Sequence, residues 1–205
     1  MKITGAILAG GKSSRMGKDK GLLPLEGGTV IDHLLQQMEP AVKERLISTN
    51  EPQAYAFTGM PLITDNTPGL GPLSGIQAIL QHCAAADDCW CLVTACDMPL
   101  ADTGLYRALA ACAEEAGRQG MNAVIPVIQG RIQPLPGIYH PSAALTLNRP
   151  IQEGRLKLMD WLGELQVLYV DDETLRSYGV HHPERLFFNM NTPAGYAYVL
   201  RELQE

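Results

Sequence analysis

The chain has 205 residues, 46% of them hydrophobic, and its 16 Lys or Arg against 22 Asp or Glu give a formal charge of −6. That length fits one domain, spanning residues 1–205, with ample material for a buried core. An acidic balance without a broad basic face excludes general affinity for nucleic acid or anionic membrane. No apolar run approaches the roughly 18 residues of a membrane span, and the apolar start after Met1-Lys2 is broken by Gly10-Gly11, unlike a secretory leader. The expectation is a cytoplasmic protein.

Apolar runs alternate with amphipathic stretches, the pattern of a three-layer α/β protein with a mainly parallel sheet and helices on both faces. In chain order, the strands are expected at Ile3–Ala9, Arg45–Thr49, Pro61–Thr64, Trp90–Ala95, Ala123–Ile128, Leu135–Tyr139 and Leu165–Val170. Helices are expected at Val30–Met38, Leu73–His82, Thr103–Arg118, Pro141–Asn148, Leu156–Leu162 and Pro193–Leu203. Asp102 is placed to cap the third helix, and Thr192-Pro193 joins an N-cap residue to proline in the first turn of the last. The cysteines Cys83, Cys89, Cys91, Cys96 and Cys112 lie among Ala, Leu and Val, and their odd number fits a reducing compartment. Cys89 and Cys91 on one strand point both thiols to one face, which fits small core side chains better than a soft-metal site.

The stretch from Leu8 to Lys20 carries the chemistry. Glycines let backbone N–H groups approach an anion, and Lys12, Arg15, Lys18 and Lys20 stand against Asp19 alone, a local excess of +3 in an acidic chain. Such a loop grips phosphates. It is not a P-loop, which requires a glycine where this chain has Ala6. A dinucleotide fingerprint fails as well: in Gly69-Leu70-Gly71-Pro72-Leu73-Ser74-Gly75 the last interval is one residue too long and Pro72 interrupts it. That second glycine cluster reads equally as a loop over a pocket or a plain turn.

Leu8-Ala9-Gly10-Gly11-x-Ser13-x-Arg15-Met16-Gly17-x-Asp19-Lys20 resembles the signature of nucleotidyltransferases that make nucleoside diphosphate derivatives. Ser48-Thr49-Asn50, Asp65 with Gly71-Pro72-Leu73-Ser74-Gly75, Cys96-Asp97-Met98-Pro99 and Asn189-Met190-Asn191-Thr192-Pro193 follow in the same order, so the resemblance covers nearly the whole chain. The double glycine is most similar to the molybdenum cofactor guanylyltransferases. The resemblance implies a Rossmann-like sheet of the nucleotide-diphospho-sugar transferase type. It also implies transfer of GMP from GTP to molybdenum-bound molybdopterin, with Mg²⁺ and release of pyrophosphate.

By that resemblance Leu8, Ala9, Gly10 and Gly11 bind nucleotide through backbone groups, and Arg15 and Lys20 contact the triphosphate, with Lys20 stabilising the transition state. Asp97, after the strongest buried strand, suits Mg²⁺, which takes one or two protein carboxylates together with phosphate oxygens and water. Asn50 and Asp65 line the nucleotide pocket by resemblance; as bare residues, either is equally a turn residue. The C-terminal half is expected to hold molybdopterin. Arg131, Gln133, Arg155, Lys157, Asn189 and Asn191 supply its cations and amides, although a solvated helix start accounts for Arg155 and Lys157 and a capping role for Asn191. Cofactor-synthesis proteins or acceptor molybdoenzymes are the expected macromolecular partners.

A CTP-dependent cytidylyltransferase is the nearest rival. Members of that kind carry Leu-Ala-Ala-Gly where this chain has Leu8-Ala9-Gly10-Gly11, so Gly10 is the residue expected to admit the larger purine. A nucleotide-binding regulator without catalysis is another rival, against which the presence of both Lys20 and Asp97 argues, and a sugar-phosphate transferase on the same scaffold is a third, though such proteins are commonly longer. His33, His82, His140, His181 and His182 show no metal or dyad spacing, and no serine sits in a nucleophile elbow.

Overall fold

A computed structural model describes residues 1–10, 19–25, 27–65, 71–85 and 89–204. The strands are β1 (Lys2–Leu8), β2 (Pro24–Leu25), β3 (Gly28–Thr29), β4 (Glu44–Ser48), β5 (Leu62–Ile63), β6 (Cys89–Ala95), β7 (Ala123–Ile128), β8 (Arg131–Ile132), β9 (Gly137–Tyr139) and β10 (Val167–Asp171). The helices are α1 (Val30–Met38), α2 (Pro52–Tyr55), α3 (Pro72–Cys83), α4 (Thr103–Arg118), α5 (Ala144–Gln152), α6 (Leu158–Leu162), α7 (Asp172–Ser177), α8 (Pro183–Leu186) and α9 (Pro193–Glu202).

The main sheet runs β10-β7-β9-β6-β1-β4-β5, with β8 paired to β7. Pairings β1/β4, β1/β6, β4/β5 and β7/β10 are parallel, whereas β9 runs antiparallel to both β6 and β7. The mainly parallel expectation therefore holds, with β9 as a reversed insert between two parallel blocks. A two-stranded ribbon of β2 and β3 stands apart.

Two cores follow from alternation along the strands. Ala6, Leu46, Cys89, Cys91 and Val93 face α3, α5 and α6, packing on Ile76, Ile79, Leu147 and Trp161. Ile3, Ile7, Ile47, Trp90 and Leu92 face the other way, onto Ile31, Leu34 and Met38 of α1 and Leu105, Leu109 and Cys112 of α4. The sheet is thus the middle of three layers. All five cysteines are buried and unpaired, Cys89 and Cys91 in one apolar cluster, as expected of small core side chains.

Local chemistry places the helices. Thr29 N–H donates to Asp32 Oδ2 at 3.0 Å, the reciprocal half of a capping box that starts α1. Asp102 Oδ1 accepts from Leu105 N–H at 2.8 Å and starts α4, while Thr192 Oγ1 accepts from Gly195 N–H at 3.0 Å and starts α9. Several expected boundaries move: the strand expected at Pro61–Thr64 spans Leu62–Ile63, that at Leu135–Tyr139 spans Gly137–Tyr139, and that at Leu165–Val170 spans Val167–Asp171. Pro141–Ala143 forms a 3₁₀ turn before α5, which then extends to Gln152. The helix expected from Leu156 begins at Leu158, with Lys157 as its N-cap residue. The second glycine cluster is not all loop, since Pro72–Gly75 is the opening turn of α3; Asn66–Leu70 lie outside the described residues.

Candidate active site

Because β1, β4, β5 and β6 are parallel, their carboxyl ends meet at one edge of the sheet. The chain leaves β1 for β4 on one side while β6 lies on the other. The ends of β1 and β6 therefore flank a switch point, where open α/β sheets take their ligands. Ala9-Gly10, Thr49-Asn50, Thr64-Asp65 and Cys96-Asp97 emerge there.

Backbone hydrogen bonds carry the sheet into these loops: Ala9 N–H to Ser48 O at 2.8 Å, Thr49 N–H to Ile63 O at 2.8 Å and Cys96 N–H to Leu8 O at 3.2 Å. Gly10 has φ +106°, a conformation L side chains rarely adopt, which is the physical requirement for glycine at this point. A Cβ built there lies 3.6 Å from Thr49 Oγ1, an ordinary contact, so the constraint is backbone geometry rather than protein crowding. Gly75 brings the first turn of α3 against the same edge; a Cβ there would lie 2.7 Å from Leu8 Cδ2 and 3.0 Å from Ser48 Oγ.

Lys20 enters the edge from a 3₁₀ turn, Lys20–Leu22, capped by Asp19, whose Oδ1 accepts from Gly21 N–H at 3.0 Å. Its ammonium donates to Asn191 Oδ1 at 2.6 Å and stands 3.9 Å from Asp97 Oδ2. Met190 N–H donates to the Asp97 carbonyl at 2.7 Å, fastening the C-terminal segment to the loop after β6. Burial raises the Asp97 carboxyl above its ordinary range, with the Lys20 charge opposing that shift. His33 of α1 faces the same loop, and burial keeps its imidazole below the ordinary value, with the Pro99 backbone opposing that shift.

Asn50 and Asp65 form a reciprocal pair: Asn50 Nδ2 donates to Asp65 Oδ2 at 2.9 Å and Asp65 N–H to Asn50 Oδ1 at 3.1 Å. Neither is a lone turn residue, and the Asn50 carboxamide is committed to Asp65. Arg155 is likewise engaged, its guanidinium donating to Glu153 Oε2 at 2.8 Å and Glu164 Oε1 at 2.7 Å. Lys157 and Asn189 are exposed, and Asn189 Nδ2 donates to Phe187 O at 3.3 Å. Arg131 begins β8 and is exposed, with Gln133 partly buried just beyond it, its N–H donating to Pro126 O at 2.8 Å. The structure thus gathers Leu8, Ala9, Gly10, Lys20, Asn50, Asp65, Asp97 and Asn191 near the carboxyl ends of β1, β4, β5 and β6. Gly11 and Arg15 lie outside the described residues.

Two supporting residues escaped the sequence reading. Tyr55 of α2 is buried beneath the Lys20 turn; a Cβ on Gly21 would lie 2.5 Å from the Tyr55 hydroxyl and 3.0 Å from Cys96 Sγ. Gly21, directly after the site lysine, was the available signal, whereas nothing near Tyr55 marks it. Among the described residues no group of three or more His, Cys, Asp or Glu gathers as a metal cage. A single carboxylate fits a cation that arrives with phosphate oxygens and water, the habit of Mg²⁺, and not an all-protein site.

A cation, a carboxylate and an amide thus meet at the switch point of a mainly parallel sheet, the place where open α/β proteins take their ligands. A profile of the MobA-like NTP transferase domain matches residues 5–167. A probable molybdenum cofactor guanylyltransferase from Carboxydothermus hydrogenoformans is 35% identical over 204 residues, covering 97% of this chain and 95% of that protein. The molybdenum cofactor guanylyltransferase of Yersinia pseudotuberculosis is 33% identical over 195 residues, covering 94% of this chain and 92% of its own. The crystal structure of molybdopterin-guanine dinucleotide biosynthesis protein A from Archaeoglobus fulgidus matches with TM-score 0.81 and 29% identity, covering 98% of each chain. The chain belongs to the family of MobA-like NTP transferase domains.

Proposed function

We propose that this protein transfers GMP from GTP to molybdenum-bound molybdopterin, forming the guanine dinucleotide cofactor and pyrophosphate. The observation that carries the reading is the meeting of Lys20, Asp97 and Asn191 at the end of β6, in a chain whose full-length relatives bear guanylyltransferase names. A phosphate oxygen of the acceptor attacks the α-phosphorus of GTP, and the bond to the bridging oxygen of pyrophosphate breaks. Negative charge grows on both flanks, so positioning and neutralisation do the catalysis.

Each residue has a part in that step. Leu8, Ala9 and Gly10 present backbone groups to the nucleotide, continued by Gly11, and Lys20 and Arg15 neutralise the triphosphate. Lys20 follows the charge into the transition state. Asp65 contacts the base or ribose, and Asn50 holds Asp65 in place through their paired hydrogen bonds. Asp97 would hold Mg²⁺, which supplies positive charge to the phosphate oxygens. The N-terminal half thereby carries the nucleotide. The acceptor is met from the C-terminal half, by Lys157, Asn189 and Asn191, with Arg155 able to exchange a glutamate for the pterin phosphate.

A glycine at position 10 fits GTP over CTP, because a hydrogen in place of a methyl leaves room for the purine. Buried, unpaired thiols fit a reducing cytoplasm, and no helix of the described residues is long and apolar enough to cross a membrane. Delivery of the product implies contact with cofactor-synthesis proteins or acceptor apoenzymes. Incubation with GTP, Mg²⁺ and molybdenum-loaded molybdopterin, followed by mass analysis of the pterin, should yield the GMP adduct. A pterin left at its starting mass would refute the reading.

A further inference from the structure

Lys20 is a long cationic side chain with large rotamer freedom, and function at the edge of the sheet requires that freedom to be removed. Asp97 attracts it but stands 3.9 Å away, beyond hydrogen-bond range. The direct bond is the one to Asn191 Oδ1, at 2.6 Å and across 171 residues of sequence.

Asn191 is itself held from both sides. Met190 before it is fully buried, and its N–H is fixed to the Asp97 carbonyl at 2.7 Å. Thr192 after it is fixed as the cap of α9, accepting from Gly195 N–H at 3.0 Å, and the Asn191 N–H itself donates to Asn189 O at 3.1 Å. Three consecutive residues are anchored, so the carboxamide has a defined place. The chemistry of the contact is selective as well. An amide oxygen accepts one of the three ammonium donors without cancelling the charge, leaving another directed to Asp97 and a third for a phosphate oxygen. A carboxylate in the same place would neutralise the cation that the transferred phosphate needs.

We infer that Asn191 is a positioning residue for Lys20: its side-chain oxygen holds the ammonium at the switch point before substrate arrives. The segment after α8 thereby completes a nucleotide site whose other parts come from the N-terminal half. This rests on the reading of Lys20 as the triphosphate cation. Position 191 lies beyond residue 167, where the domain profile match ends.

The test uses the full chain with Asn191→Leu, Asn191→Ala, Asn191→Asp, Lys20→Met and the Lys20→Met/Asn191→Leu pair. Removing the oxygen should lower kcat for pyrophosphate release about tenfold or more with little change in the KM for GTP, and Asn191→Leu should cost almost nothing further once Lys20 is Met. Without any substrate, acetylation of Lys20 by an N-hydroxysuccinimide ester, followed by peptide mass analysis, should speed up several-fold in Asn191→Leu and Asn191→Ala but not in Asn191→Asp, which keeps the oxygen. Additive kinetic losses, a rise in acceptor KM at unchanged kcat, or wild-type acetylation rates in the Leu and Ala variants would each overturn the inference. A wild-type protein releasing no pyrophosphate would instead overturn the function proposed above, while the acetylation rates would still decide the role of Asn191.

Discussion

Gly21→Ala tests the support of the site lysine. The added methyl would lie 2.5 Å from the Tyr55 hydroxyl, 3.0 Å from Cys96 Sγ and 3.1 Å from Tyr55 Cε1. Tyr55 is a stiff, fully buried ring and Cys96 is also in the core, so neither swings aside as the end of a flexible chain would. Overpacking of this kind costs about 1–3 kcal/mol. In a domain of this size, at roughly 2–4 °C per kcal/mol, Tm should fall by about 2–12 °C. The turn is also free to relieve the clash by lifting away from the sheet, carrying Lys20 from Asn191, so kcat should fall as well. Tyr55→Phe removes the nearest atom and leaves the contacts at 3.0 and 3.1 Å, so Gly21→Ala/Tyr55→Phe should recover part of the loss in Tm and kcat. Thermal unfolding and pyrophosphate release on the four proteins give the comparison. A Gly21→Ala protein as stable and active as wild type, or a double variant no better than the single one, would refute the packing argument.

Asp97→Asn should raise thermal stability at neutral pH while abolishing metal-dependent turnover. Burial raises the folded carboxyl above its unfolded 3.8, so ionisation opposes folding and stability declines as pH rises through that window. Melting curves from pH 4 to 8 should show the Asn advantage growing with pH. For His33 the shift is downward from 6.5, so the fold binds fewer protons than the unfolded chain and stability drops as pH falls below that value. His33→Gln should flatten that acid limb. Gly10→Ala places an L residue at φ +106°, a strain of about 1–3 kcal/mol that weakens all nucleotides alike. The base-specific effect is read in the ratio of kcat/KM for GTP over CTP, which should fall; an unchanged ratio would leave Gly10 a purely conformational residue.

The sheet was legible because its strands are apolar runs of clear period, and α4 and α9 because their caps lie beside their apolar faces. The β2/β3 ribbon, β8, α2, α7 and α8 were not. They are two to six residues long, too short for periodicity to register, and tertiary packing decides them. The reversed direction of β9 is also invisible locally, since a strand's sequence does not state its partners. At the site, residue types and their order pointed to the loop ends, as Gly10, Lys20 and Asp97 illustrate. Partnerships were hidden by distance: Asn50 with Asp65 across 15 residues and Lys20 with Asn191 across 171. Arg155 shows the same limit locally: its engagement by Glu153 and Glu164 could not be read from the order of the residues.

The central claim is a guanine-specific transfer that needs a molybdopterin acceptor. Pyrophosphate release measured with GTP, CTP and ATP, each with and without molybdenum-loaded molybdopterin, tests it most directly. Release should require the pterin and should be fastest by a wide margin with GTP. Equal release from CTP or ATP, or release that ignores the pterin, would contradict it.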